Sequence, residues 1–180
     1  IGRRRHNNYP PLSYAAYFGL TRSMACLLAC GADPTEINNT PLFAAAASDG
    51  HLDAVQLLLD HGADINSTRQ TPAGITYTVS DYPCMTLSAE MLRFLVRRGA
   101  RLSEGAAGLL VASNMRWPAQ KAACLDVLEE AGVGFPDTPP MAVHRRNTEG
   151  LGAFLTQHPD LLSRAFTEAE IFPNQLGVRY

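Results

Sequence analysis

Cysteine is scarce and poorly placed for chemistry. The 180 residues hold four, Cys26, Cys30, Cys84 and Cys124, too few and too irregular for a disulfide-stapled secreted scaffold or a paired CxxC zinc site. Lysine is scarcer still. Of 15 basic residues only Lys121 is a lysine, a bias that fits a GC-rich, bacterial coding sequence rather than a chemical need. Excess charge of one sign is also missing. The 15 basic residues against 17 acidic ones leave a net charge of −2, so bulk charge gives no reason to expect nucleic acid. No apolar run approaches the roughly 20 residues that span a bilayer. Signature motifs are missing too: no HExxH, GxSxG, GxxxxGK(S/T) or GxGxxG. The chain begins at Ile1 rather than Met, as expected of a sequence cut from a longer one or processed, and a removed signal peptide is compatible with that start.

What is present is apolar mass and repetition. Hydrophobic residues make up 46% and charged residues 18%, the range of folded soluble chains. The length suits one domain or one elongated array. Four glycines anchor a repeat: Gly31, Gly62, Gly99 and Gly132. Four residues before each stands Leu27, Leu58, Leu95 or Leu128. Five before stands Cys26, Leu57, Phe94 or Val127, and seven before stands Met24, Val55, Leu92 or Leu125. These spacings predict one buried stripe on each of four helices. A second landmark precedes them: Pro10-Pro11-Leu12, Thr40-Pro41-Leu42, Thr71-Pro72 and Thr138-Pro139. Threonine caps helices and proline suits their first position. Gly19 and Gly50 then supply left-handed stops. Each unit reads as helix, glycine turn, helix, glycine, extended link.

The stretch TPLFAAAASDGHLDAVQLLLDHGADIN, Thr40 to Asn66, resembles an ankyrin repeat at almost every position, and PPLSYAAYFGLTRSMACLLACGADP, Pro10 to Pro34, nearly as well. The resemblance implies an all-α ankyrin-repeat solenoid of about five helix-turn-helix repeats with short hairpin links. Its expected layout is a polar lead or the end of an earlier repeat at 1–9, an array at 10–162 (10–39, 40–70, 71–102, 103–137 and 138–162), and a C-terminal capping helix and tail at 163–180. Thr167-Glu168-Ala169-Glu170 has the capping-box pattern for that last helix. Departures are visible. The His of the family's TPLH is Ser13 in the first copy and Phe43 in the second, which removes a usual Thr–His hydrogen bond. The third copy carries about seven extra residues, expected between its helices at Val79 to Thr86. The fourth lacks the Thr-Pro start and is enlarged at Asn114 to Gln120.

No residue set suggests catalysis, a metal or a cofactor. His51 and His61 flank one helix and read as capping or surface residues. His144 has no visible catalytic partner. Glu129-Glu130 end a helix, where solvation suffices. Arg3-Arg4-Arg5 read as a solvated terminus. Cys26 falls in the buried slot and Cys124 on a second helix, so both are expected in packing. Cys30 is expected nearer solvent, and Cys84, in the inserted loop, is expected to be the exposed thiol. Reduced cysteines suit a cytoplasmic location.

The resemblance implies that function lies on the concave surface of hairpin tips and first-helix faces, where the family commonly binds another protein. The variable positions there are Tyr17, Phe18, Ser48 and Asp49, with tip residues Asn38, Asn39 and Arg69. Tyr17 and Phe18 either anchor a partner or cover the open end of the first repeat. The insertions add Tyr82 and Met85, then Arg116 and Trp117, residue types enriched at binding hot spots. Trp117 alternatively folds back over the fourth copy. The expected function is therefore a non-enzymatic protein-interaction module, monomeric alone, with no nucleic acid or membrane partner. The alternatives are a regulatory or targeting domain of a larger enzyme, or an immunity or chaperone protein that occludes a bacterial toxin.

Overall fold

The computed structural model describes residues 9–48, 50–71, 74–113 and 117–171. The chain divides into two compact units, Ile1–Val79 and Ser80–Tyr180. The first holds α1 (Pro11–Tyr17), α2 (Thr21–Ala29), α3 (Glu36–Ala46), α4 (Leu52–Asp60), β1 (Thr68–Gln70) and β2 (Thr76–Thr78). The second holds α5 (Asp81–Thr86), α6 (Ala89–Arg97), α7 (Ala106–Val111), α8 (Pro118–Glu130), α9 (Pro139–His144), α10 (Thr148–Gln157) and α11 (Glu168–Ile171), with a 3-10 turn at Pro159–Leu162.

The helices come in pairs. In the first unit α1 packs on α3 and α2 on α4; in the second α5 packs on α7 and α6 on α8. The second helix of each pair ends the same way. Ala32 N–H donates to Leu27 C=O, Ala63 to Leu58, Ala100 to Leu95 and Val133 to Leu128, each at 2.9–3.0 Å. The intervening glycines carry φ of 89°, 94°, 86° and 88°. This is one Schellman stop used four times, and it explains why glycine recurs four residues after those leucines.

Burial follows the expected stripe at the slot seven before each glycine and, Leu27 apart, at the slot four before it, whereas in the slot five before it Leu57 and Phe94 are half-buried. Met24, Val55, Leu92 and Leu125 are all fully buried, as are Leu58, Leu95 and Leu128. Cys26, expected in the core, is exposed, and Leu27 is half-buried. On α2 the inward line runs through Met24 and Leu28. Cys26 lies about 200° around the helix from Met24. Val127 occupies the same slot on α8 and is buried because α8 has α6 on one side and α9 on the other. Among the described residues no helix precedes α1, so α2 has a neighbour on one side alone.

The third pair is built differently from the sequence expectation. Thr71 does not begin a helix. It closes a two-stranded antiparallel hairpin, pairing Thr68 with Thr78 and Gln70 with Thr76. Thr71 N–H donates to Ile75 C=O at 2.8 Å, and Ile75 N–H returns a bond to the Thr71 hydroxyl. The extra residues therefore precede the pair instead of separating its helices, and this link is long rather than short. Asp81–Thr86 is the pair's first helix. Leu87, at φ 58°, takes the left-handed turn that glycine takes at Gly19 and Gly50. Cys84 consequently sits inside α5 with no exposure, in the core with Leu92, Leu110, Cys124 and Leu128. It is not the exposed thiol that a loop position would make it. Burial first, then the nearby Asp81 charge, pushes its thiol pKa well up.

The last two pairs are shorter on polar cues but complete. Lys121 on α8 donates to the carbonyls of Val111 at 3.0 Å and Ser113 at 3.1 Å, satisfying the end of α7 with a cation where the helix dipole is negative. Thr138 caps α9 by accepting from Met141 N–H, and Asn147 caps α10 by accepting from Gly150 N–H. The Thr167–Glu170 capping box forms reciprocally, with Thr167 N–H donating to the Glu170 carboxylate at 2.8 Å and Glu170 N–H donating to the Thr167 hydroxyl at 3.3 Å. These bonds to Thr167 hold the Glu170 carboxyl below its ordinary pKa.

Candidate protein-binding surface

The first-unit surface is assembled from the end of α1 and the tip that opens α3. Tyr17 is the last residue of α1 and Phe18 comes directly after it. Both are half exposed, at 49% and 50%, and Tyr14 one turn earlier is 54% exposed. The three rings form a ledge. Phe18 lies 4.8 Å from Tyr14 and 5.1 Å from Tyr17, centroid to centroid, the second pair edge-to-face. Leu12, Ala15 and Ala16 fill the opposite side of α1 and are buried, which forces the aromatic face outward. Ser48 joins this ledge to α3: its hydroxyl donates to Tyr17 C=O at 2.7 Å. Gly19 makes the turn possible in two ways. Its φ is 62°, and a Cβ there would stand 2.2 Å from the His51 ring.

The tip that opens α3, where the helix is kinked at Ile37–Asn39, is held by short polar bonds. Asp33 accepts from Thr35 N–H at 2.8 Å and from its hydroxyl at 2.7 Å, and these bonds keep the Asp33 carboxyl below its ordinary pKa. Ile37, Asn38 and Asn39 then run consecutively through the left-handed region, at φ 46°, 56° and 57°. Asparagine tolerates this; a β-branched isoleucine does not, so Ile37 stores strain. It is also 64% exposed. Asn38 points to solvent, whereas Asn39 accepts a bond from Asp64 N–H at 3.3 Å in the next tip.

Arg69 has structural work. Its guanidinium donates to the Thr40 hydroxyl at 2.7 Å and stacks over the Phe43 ring at 4.6 Å. The Phe that replaces the family histidine is thus a platform for an arginine 26 residues later. Two other first helices, α1 and α5, also bond to the link that follows. Ser13, buried in the first copy, donates its N–H and hydroxyl to the Glu36 carboxylate, and Asp81 accepts from the Ser103 hydroxyl.

In the second unit, Tyr82 and Met85 lie on α5 and are half-buried, rather than in an interhelix loop. Trp117 precedes α8 and is 51% exposed. Asp49 and Arg116 lie outside the described residues. Sequence reasoning missed Tyr14 as a ledge member, although its spacing of four from Phe18 was a readable signal. It did not select Ile37, and nothing in the sequence marks its backbone strain.

Among the described residues no helix is long and apolar enough to cross a membrane, and no cluster of three or more His, Cys, Asp or Glu side chains could hold a metal. A comparison with curated proteins found no match. The family model for ankyrin repeats (3 copies) matches residues 12–106. Among solved structures, the chain is similar to the human ASB11 ankyrin repeat domain, with a TM-score of 0.59 and 22% identity, over 83% of this chain and 70% of that one. With its helix pairs, its repeated glycine stops and a family match over more than half its length, the chain belongs to the ankyrin-repeat family.

Proposed function

We propose that this chain is a non-enzymatic docking module that binds a partner protein through the ledge of Tyr14, Tyr17 and Phe18, with Ser48 beside it and with Ile37 and Asn38 exposed at the tip that opens α3. The observation that carries this reading is three contacting aromatic rings, each about half exposed, on the face that ankyrin repeats generally use for proteins. Rings that already brace one another lose little freedom on binding, which is what makes aromatic anchors efficient. The strained, exposed Ile37 supports the same face, since stored backbone strain tends to gather at binding sites. Trp117 is a second anchor, on the other unit. Arg69, committed to Thr40 and Phe43, contributes by shaping the tip rather than by touching the partner.

Paired affinity capture from the native host tests the reading. The baits are the unmodified chain and the Tyr17→Ala/Phe18→Ala variant, each checked for an unchanged helical spectrum. A protein held by the first and lost from the second supports the ledge, with each anchor worth over about 1 kcal/mol. Equal retention of every captured protein by both baits removes the site.

A further inference from the structure

Four of the six described phenylalanine rings carry an arginine of the same chain. The guanidinium of Arg69 stands 4.6 Å from the Phe43 centroid, Arg98 5.1 Å from Phe94, Arg145 5.7 Å from Phe135 and Arg164 5.2 Å from Phe166. All lie inside the roughly 6 Å over which a cation is drawn to the electron-rich face of a ring. Phe18 is one of the other two. Its neighbours are rings instead, Tyr14 tilted by 52° and Tyr17 by 86°. Neither pair is a parallel stack, and each of the three rings keeps about half its area to solvent. The ledge therefore offers open ring faces, and no described arginine or lysine stands over them.

Charge around the ledge has one sign. Among its described residues the first unit carries two cations, Arg22 and Arg69, against five carboxylates, Asp33, Glu36, Asp53, Asp60 and Asp64. Arg69 is already committed to Thr40 and Phe43. Such a surface attracts a basic segment and repels an acidic one. A guanidinium is flat and weakly hydrated, so it stacks on a ring at less desolvation cost than an ammonium. We propose that the ledge takes an arginine side chain from a basic segment of the partner protein, its guanidinium stacked on the rings grouped around Phe18. This rests on the docking reading above and names what the ledge recognises.

Peptide selection tests it on the full chain. A random peptide library is selected on the unmodified chain and counter-selected on the Tyr17→Ala/Phe18→Ala variant. Peptides held by the first and refused by the second should share an arginine. In the tightest of them, citrulline then replaces that arginine, keeping the planar shape without the charge. Separately, Phe18→Leu keeps apolar bulk without the ring. Each change alone should weaken binding about threefold or more, and the two together should cost little more than one, because they remove the same contact. Ledge-dependent peptides with no shared arginine would overturn the inference while leaving the docking site standing. So would a citrulline peptide that binds as well, or two losses that simply multiply. No ledge-dependent peptide at all would overturn both.

Discussion

Replacing Arg69 by Ala separates a structural role from a binding one. The guanidinium makes one charge-assisted hydrogen bond to Thr40 at 2.7 Å and one ring contact with Phe43 at 4.6 Å. Hydrogen bonds to charged groups contribute about 1.5–3 kcal/mol. A cation–π contact adds about 0.5–1 kcal/mol where water still reaches it. Arg69 is half-buried, so the lower parts of both ranges apply, and the sum is about 2 kcal/mol. That is roughly a thirtyfold change in the folding equilibrium. Thr40 keeps its own bond to the Ile37 carbonyl, so its hydroxyl is not left wholly unpaired and the larger desolvation penalty does not arise. Urea unfolding followed by far-ultraviolet circular dichroism measures the loss. Arg69→Lys should recover part of it, because lysine supplies the charge without the planar stack. Combining Arg69→Ala with Phe43→Leu should show a coupling of about 0.5–1 kcal/mol. A loss under about 0.5 kcal/mol, the level of ordinary surface substitutions, would refute this reasoning and return Arg69 to the pool of free binding residues.

Four further outcomes rest on contacts of the same kind. Thiol titration of the native chain should find Cys26 and Cys30 reacting quickly and Cys84 and Cys124 only on unfolding, since the first two are exposed and the others buried; fast reaction of Cys84 would contradict its place in α5. Lys121→Met should cost about 1.5–3 kcal/mol in urea unfolding, through the two carbonyls it leaves at the end of α7. Gly19→Ala should lower the melting temperature, because φ 62° and the His51 ring both exclude a Cβ, and equal stability would show that the ring moves freely. For His144, burial first and the Lys121 charge second lower its pKa from 6.5 in the folded chain. The unfolded state therefore binds this proton more tightly, and the contribution of neutral His144 is full above about pH 6.5 and is lost as pH falls through the folded pKa. His144→Gln should flatten that limb of the melting temperature against pH, and identical curves would remove the assignment.

The helical array was legible because its signals are local. A glycine after a leucine-rich helix, the Thr138-Pro139 start and a 3.6-residue stripe each depend on residues within about two turns, whereas α3 begins at Glu36, four residues before its expected start at Thr40. The four Schellman stops fall where the glycines predicted them. The third pair failed on the same locality. Thr71-Pro72 looks like a helix start in any single window, but there the local cue lost to a hairpin that pairs Thr68 with Thr78. The true start, Ser80-Asp81, carries no proline. Its polar groups are instead satisfied from the next link, with the Ser80 hydroxyl donating to Arg101 C=O at 2.6 Å and Asp81 accepting from Ser103. Once that start is displaced, Cys84 moves from loop to core and Tyr82 and Met85 move onto a helix.

The surface was less legible for a related reason. Exposure at Tyr17 and Phe18 is set by the pattern, because Leu12, Ala15 and Ala16 claim the inner side of α1. What shapes the surface around them is not. The loss of the family histidine at positions 13 and 43 reads in sequence as a missing bond. In the fold each gap is filled from downstream, by Glu36 for Ser13 and by Arg69 for Phe43 and Thr40. Those partners lie 23 and 29 residues from the hydroxyls they meet, about one repeat away. A window that sees one repeat sees a defect; only the stacked pair shows a bond. This explains why two tip residues with similar sequence credentials diverge. Asn38 stays exposed at its tip, while Arg69 is drawn inward by the ring that replaced a histidine. The proposed binding positions are thus tip residues that a neighbouring repeat does not recruit, and for Arg69 the recruiting ring lies one repeat upstream.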